Sequence, residues 1–296
     1  INIPKDFFLE QIQRTGHEAN NLPFAVGMIF LPRTNFANQE RSRSIVETEI
    51  IKEGFKIFGW RHVPINSKLI GEKAKITRPE IEQILIGNDI YKEENDFDSK
   101  LYIIRRRIEK IIRQENINDF YICSLSSQSI IYKGMFSAEQ LSNFFPDILD
   151  KRFISKFAIY HQRYSTNTFP TWSLAQPFRI IAHNGEINTL KGNKNWMAAH
   201  EPRLKHKNFG DAIDDLKPVI ESDSSDSAAL DSTMELLVNS DRNLPMAKIM
   251  TVPEAWAHRR DFSKKLKDLY AYSNAVMEPW DGPAAICGVH DRWAIA

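Results

Sequence analysis

Two short apolar segments, Phe157 to Tyr160 and Phe178 to Ala182, each run straight into a dense polar cluster. The first cluster reads His161-Gln162-Arg163-Tyr164-Ser165-Thr166-Asn167, and the second His183-Asn184-Gly185-Glu186-Ile187-Asn188. Apolar runs this short, bounded by turn chemistry, read as buried strands rather than helices. Strand ends that deliver Arg, Thr, Asn and Gly to one place suit a small-molecule site. Arg163 carries the planar fork that grips a carboxylate. Asn184 and the backbone N–H of Gly185 offer two donors to a developing oxyanion. A lone Asn-Gly pair would read as hairpin-turn chemistry. Two such clusters together favour a site.

The remaining segments alternate between strand and helix patterns. Apolar strands are expected at Leu22–Leu31, Trp60–Ile65 and Ile81–Ile86, a hairpin at Asp119–Leu125 with Gln128–Met135, and further strands at Ile154–His161 and Phe178–His183. Helical spacing of apolar residues marks an amphipathic first segment, then Ser44–Lys52, Asp98–Glu115, Thr189–His200, Ser227–Val238, Pro245–Met250 and Phe262–Met277. The Arg105-Arg106-Arg107 run reads as a solvated helix face, because the rest of the chain is not basic. Ser224, Ser225 and Asp226 stand where a helix begins, so capping competes with ligand binding there. The C-terminal Gly282–Val289 and Trp293–Ala296 read as a hairpin. Strands are often adjacent in sequence, with helices between groups of them. That pattern suits one α+β domain over residues 1–296, in which mainly antiparallel sheets stack and helices lie outside.

Composition removes several function classes. The formal net charge is +1 over 296 residues, which argues against nucleic acid or an anionic membrane surface as main partner. No apolar run approaches the roughly 18 residues of a spanning helix. The start, INIPKDFFLE, has neither a basic beginning nor an apolar h-region, and lacks Met, so a processed chain or a fragment is expected. The two cysteines, Cys123 and Cys287, make neither a disulfide framework nor a metal site by spacing. They point to a reducing compartment. Abundant Ile, Asn and Lys hint at an AT-rich genome such as that of a plastid.

The strings HQRYSTNTFPTW and HNGEINTLKGN resemble the glutamine amidotransferase domain of the glutamate synthase family. So do GWRHVP at Gly59–Pro64, FYICSLSSQSIIYKGM at Phe120–Met135, ESDSSDS at Glu221–Ser227, PEAW at Pro253–Trp256 and MEPWDGPAA at Met277–Ala285. The resemblance implies an N-terminal-nucleophile hydrolase fold, a four-layer α/β/β/α sandwich. It implies a cysteine nucleophile at a mature N-terminus, with its own α-amino group as base. It assigns Asn184 and Gly185 to the oxyanion hole, Arg163 to the glutamine α-carboxylate and Asp226 to the α-ammonium, with Thr166 orienting the substrate. No cofactor is implied for this domain. FMN, an iron–sulfur cluster, and contacts to ferredoxin or a reductase subunit are implied for other domains of the parent polypeptide. The expected compartment is then plastid stroma or bacterial cytoplasm. Ile1 stands where the family has Cys-Gly, so the nucleophile is expected upstream. Another amidotransferase with the same glutamine pocket, or a non-catalytic scaffold that binds an amino acid, remain alternatives.

Overall fold

The computed structural model describes residues 1–19, 22–164 and 168–296. They form two compact units: residues 1–162 with 170–175, and residues 163–169 with 176–296.

The first unit is built on one antiparallel sheet. Its strands are β1 (Phe24–Leu31), β2 (Lys56–His62), β3 (Glu80–Gly87) and β4 (Tyr121–Ser126), in the order β2-β3-β1-β4. Central β1 is buried at every position, because both faces of the sheet are covered. Side chains alternate along a strand. Val26, Met28 and Phe30 therefore enter one core, with Phe7, Phe8 and Ile12 of α1 (Lys5–Arg14). Ala25, Ile29 and Leu31 enter the other, with residues of α2 (Phe36–Lys52). Between β2 and β3 stands the short α3 (Glu72–Ile76), and between β3 and β4 the long α4 (Glu94–Gln114). Phe97, Leu101, Ile104, Ile108 and Ile112 of α4 share one face and complete that second core. The side chain of Asn35 caps α2 by accepting from Asn38 N at 3.0 Å, which explains a start well before Ser44. A capping-box pair, with Gln140 Oε1 accepting from Ser137 N, opens the turn into α5 (Leu141–Phe144).

Three expectations are corrected here. Gln128–Met135 does not fold back on β4 as a strand. Its backbone pairs instead with the N-terminal residues, through Ile3 N to Gln128 O and Ile130 N to Ile1 O, both at 2.9 Å. Ile131 N then donates to the Ser124 side chain at 3.2 Å. No strand forms over Ile154–His161, where Ile154 and Tyr160 are 72% and 74% exposed. Strand preference depends on cross-strand neighbours and burial, which these residues lack. Finally, Arg105 and Arg106 are buried rather than solvated, and their guanidinium groups donate to Glu109 at 2.7 and 3.0 Å. Arg107 donates to Glu53 at 2.9 Å. A long side chain with its charge paired can lie inside, which the periodicity of apolar residues does not reveal. Cys123 is buried in β4, as a small hydrophobe would be.

The second unit carries the antiparallel sheet β5 (Ile181–Gly185), β6 (Ala284–His290) and β7 (Trp293–Ile295). Its helices are α6 (Leu190–His200), α7 (Asp226–Asn239), α8 (Leu244–Thr251) and α9 (Lys264–Val276). Helix α7 packs beside β5, and α8 beside β6 and β7. The β6–β7 turn places Asp291 at φ 53°, a left-handed conformation that Asp tolerates. The caps follow sequence: Ser225, Asn243 and Ser263 each accept the N–H three residues on.

Close packing in the first unit leaves no room for a side chain at Gly27. A Cβ there would lie 2.7 Å from Ile84 Cγ2 and 2.9 Å from Leu125 Cδ1. Gly27→Ala is therefore expected to destabilise the first unit by about 1–3 kcal/mol, read as a lower denaturant midpoint with an unchanged slope.

Candidate active site

The exit of β5 is held from two sides within the second unit. On one side lies the segment 278–284. Glu186 N donates to Pro283 O at 2.9 Å and Asn188 N to Asp281 O at 2.8 Å. Thr189 Oγ1 accepts from Asp281 N at 2.9 Å, and Asn193 Nδ2 donates to Pro279 O at 2.9 Å. The two backbones approach so closely that side chains are excluded. A Cβ on Gly185 would sit 1.9 Å from Pro283 O, and one on Gly282 1.9 Å from Glu186 O. Both glycines also have positive φ, +157° and +148°. The strings HNGEIN and MEPWDGPAA, far apart in sequence, thus form one pair of interlocked loops.

On the other side stands the start of α7. The buried Asp226 carboxylate accepts from Ile187 N at 3.1 Å through Oδ2 and from Ser227 N at 2.7 Å through Oδ1. Ser227 Oγ lies 2.8 Å from His183 Nδ1. Lys194 of α6 donates to Ser222 O and Ser224 O at 2.9 and 3.0 Å, fixing the loop that leads into α7. One turn and a half along α7, fully buried Asp231 accepts the N–H groups of Arg179, Ile180 and Ile181 at 3.1, 2.9 and 3.1 Å. Gln176, also buried, accepts from His183 N at 2.7 Å and donates to His183 O at 2.6 Å.

Of the residues singled out from sequence, the structure brings Gly185 and Asp226 into one bonded cluster around the β5 exit, and Asn184, next to Gly185 on the strand, is exposed. Asn184 pairs in register with Ala285, and Gly185 with Ala284, at the last positions of the β5–β6 ladder. Arg163 belongs to the same unit and is exposed, on an irregular stretch rather than at a strand end. Thr166 lies outside the described residues. Ser225 is the N-cap of α7, so the capping reading holds for it, while the Asp226 carboxylate reaches the β5 exit. Gln176, Ser227, Asp231 and Gly282 were not singled out individually. The signal for Asp231 was present: an acid next to Leu230 and three residues before Met234, on the apolar side of an amphipathic helix. Gly282 stands inside MEPWDGPAA. Gln176 carries no periodic signal.

Among the described residues, one group has metal-ligand reach: His62, Glu80 and Glu82 of the first unit, with ligand atoms within 4.8 Å of one another. Both oxygens of buried Glu82 already accept from Arg43, with Nε to Oε2 at 2.8 Å, so the group is an ion-pair network. No helix among the described residues is long and apolar enough to cross a membrane.

The chain belongs to the class-II glutamine amidotransferases, whose family profile matches residues 1–296. That family has the N-terminal-nucleophile hydrolase fold, and the helices and antiparallel sheets of both units are those of an α+β protein. The relatives it resembles are glutamate synthases. It is 57% identical over 295 residues to the glutamate synthase (NADPH) large chain of Azospirillum brasilense, covering 100% of this chain and 20% of that one. It is 40% identical over 290 residues to the ferredoxin-dependent glutamate synthase of Pyropia yezoensis, covering 96% and 19%. Relatives named as chloroplastic, such as ferredoxin-dependent glutamate synthase 2 of Arabidopsis thaliana, match at 40% identity over 292 residues, covering 96% of this chain and 18% of that one. The chain thus spans about a fifth of the length of these relatives.

Burial, with repulsion from Glu235, pushes the Asp231 carboxyl up to about 6, against the pull of Arg179 and the accepted N–H groups. A folded-state value above the unfolded one means that the folded protein holds this proton more tightly. The group's contribution to stability is therefore full below about pH 4 and is lost as pH rises through about 6. Asp231→Asn removes this titration. The fall in stability between pH 4 and 6 should be shallower in the variant than in the wild type, by on the order of 2–3 kcal/mol over that range, measured as denaturant midpoints across pH.

Proposed function

We infer that this chain is the glutaminase domain of a glutamate synthase. It hydrolyses the side-chain amide of glutamine, and the ammonia passes to 2-oxoglutarate for reductive glutamate synthesis elsewhere in the parent polypeptide. The observation that carries this reading is the β5 exit, where Asn184 and Gly185 stand on a strand end clamped by α7 and by the 278–284 loop. Two donors fixed in this way suit an oxyanion that forms only during acyl transfer.

The chemistry follows from those roles. A cysteine thiol gives its proton to the α-amine of the same residue and adds as the thiolate to the amide carbon. The carbonyl oxygen becomes an oxyanion and takes hydrogen bonds from Asn184 Nδ2 and Gly185 N–H. Collapse with proton transfer to nitrogen breaks the C–N bond and releases ammonia, leaving a thioester. Water then adds to the thioester carbon, and the C–S bond breaks to give glutamate and the free thiol. Cys123 is buried in mid-strand and Cys287 sits within β6, so neither places a thiol beside a free α-amine. The nucleophile is assigned to an N-terminal cysteine of the longer polypeptide. Arg163 would pair with the substrate carboxylate, Asp226 with the ammonium, and Thr166 would help orient it. FMN, an iron–sulfur cluster and the ferredoxin or reductase contacts are assigned to other domains of the parent polypeptide, as the resemblance to glutamate synthases implies.

Two outcomes test the reading. The 296-residue chain alone is expected to release no glutamate from glutamine, while a longer polypeptide with an N-terminal cysteine turns over. Turnover by the short chain that is lost in Cys123→Ala would overturn the nucleophile assignment. In the active polypeptide, Arg163→Ala and Asp226→Ala should lower kcat/KM by the equivalent of about 2–5 kcal/mol. Asn184→Ala should instead lower kcat by roughly 10²–10³ with a smaller change in KM. Three folded variants with wild-type kcat/KM would show that the site lies elsewhere.

A further inference from the structure

In the order β5-β6-β7, β5 is an edge strand among the described residues. Its inner edge pairs with β6. Its outer edge carries the N–H and C=O groups of alternate residues, namely Ile181, His183 and Gly185. Side chains occupy that edge in sequence. Asp231 takes the Ile181 N–H at 3.1 Å. Gln176 takes the His183 N–H at 2.7 Å and gives its own N–H to His183 O at 2.6 Å. A single primary amide here reproduces the two-bond exchange of a strand partner. The next outward N–H along the row is that of Gly185, the donor assigned to the oxyanion.

We propose that Gln176 is a positioning residue for the oxyanion site, its amide serving as a one-residue surrogate strand that sets the aim of Asn184 and of the Gly185 N–H. This rests on the reading that those two groups hold the oxyanion. The geometry favours a specific role over general packing. Gln176 is 6% exposed, its amide bonds both backbone groups of one residue, and that residue immediately precedes Asn184. Substrate charge recognition is assigned to other residues, so a loss of aim should appear in kcat more than in KM.

The test uses the full-length, active polypeptide and compares Gln176→Glu, Gln176→Met and Asn184→Ala with the wild type. At pH 8 the carboxylate introduced by Gln176→Glu turns an acceptor toward His183 O in place of a donor. Its kcat should fall roughly 10²-fold, with KM for glutamine changed less than about threefold. As pH falls, protonation restores a group that accepts from His183 N and donates to His183 O. The ratio of variant to wild-type kcat at the same pH should then rise toward one. Gln176→Met, of similar length but without an amide, should show the loss with no recovery. Near-ultraviolet circular dichroism and calorimetric binding of glutamate monitor the fold and the pocket, and both should stay as in the wild type. A flat ratio across pH, or a loss confined to KM, overturns the proposal. Failure of both Gln176 variants to fold also overturns it, because it makes Gln176 a general structural residue. Wild-type kcat in Asn184→Ala overturns the oxyanion reading itself. A fall in Asn184→Ala beside wild-type kcat in both Gln176 variants removes the role of Gln176 alone.

Discussion

Everything in the second unit depends on satisfying one edge of one short strand. A strand that ends a sheet presents backbone donors which, when buried, must find acceptors or cost free energy. Here the acceptors are side chains. Asp231 gathers three consecutive N–H groups at the entry of β5, and Gln176 answers both groups of His183. Asp226 then takes the N–H of Ile187 beyond the exit. Because Asp226 and Asp231 sit on the same helix, α7 is coupled to the strand at both ends. The helix thereby defines where the Asn184–Gly185 step stands.

The use of a buried carboxylate for this purpose carries its own cost. Asp231 lies in low-dielectric surroundings beside Glu235, which is why its carboxyl is pushed up, and Arg179 sits 4.0 Å from Glu235 as a partial counterweight. A neutral side chain would avoid the desolvation but would offer fewer acceptor sites to three converging donors. Such an arrangement gives up some stability and gains a fixed backbone geometry, a trade commonly met where binding or catalysis needs rigid donors.

Much of this was legible in the amino-acid order. Strands β1 and β3 announce themselves as short apolar runs between Pro, Gly and Asn, and α4 by its repeat of Leu101, Ile104, Ile108 and Ile112. The strings that carry Asn184, Gly185 and Asp226 stand out before any coordinates, and they meet at the β5 exit. What could not be read was partnership. Gln128–Met135 has strand composition, yet its backbone groups go to Ile1 and Ile3, more than 120 positions away in the chain. Ile154–His161 has the same composition and makes no strand. Arg105 and Arg106 look like solvent-facing residues until Glu109 and their burial are known. Gln176 looks like any polar residue before a proline. Local pattern reports what a segment prefers, whereas these outcomes turn on which distant groups are within reach.

The interlocking of the two loops at Gly185 and Gly282 has a consequence for how such domains diversify. Each loop's backbone occupies the volume in which the other's Cβ would sit, 1.9 Å from a carbonyl oxygen in both cases. Neither can gain a side chain, lengthen or change its path unless the other moves in concert. The two segments lie nearly a hundred positions apart, but they behave as one heritable part. Transplanting HNGEIN alone into another scaffold would carry the donors without the surface that moulds them. A chimera that exchanges both segments together keeps the mould and the cast.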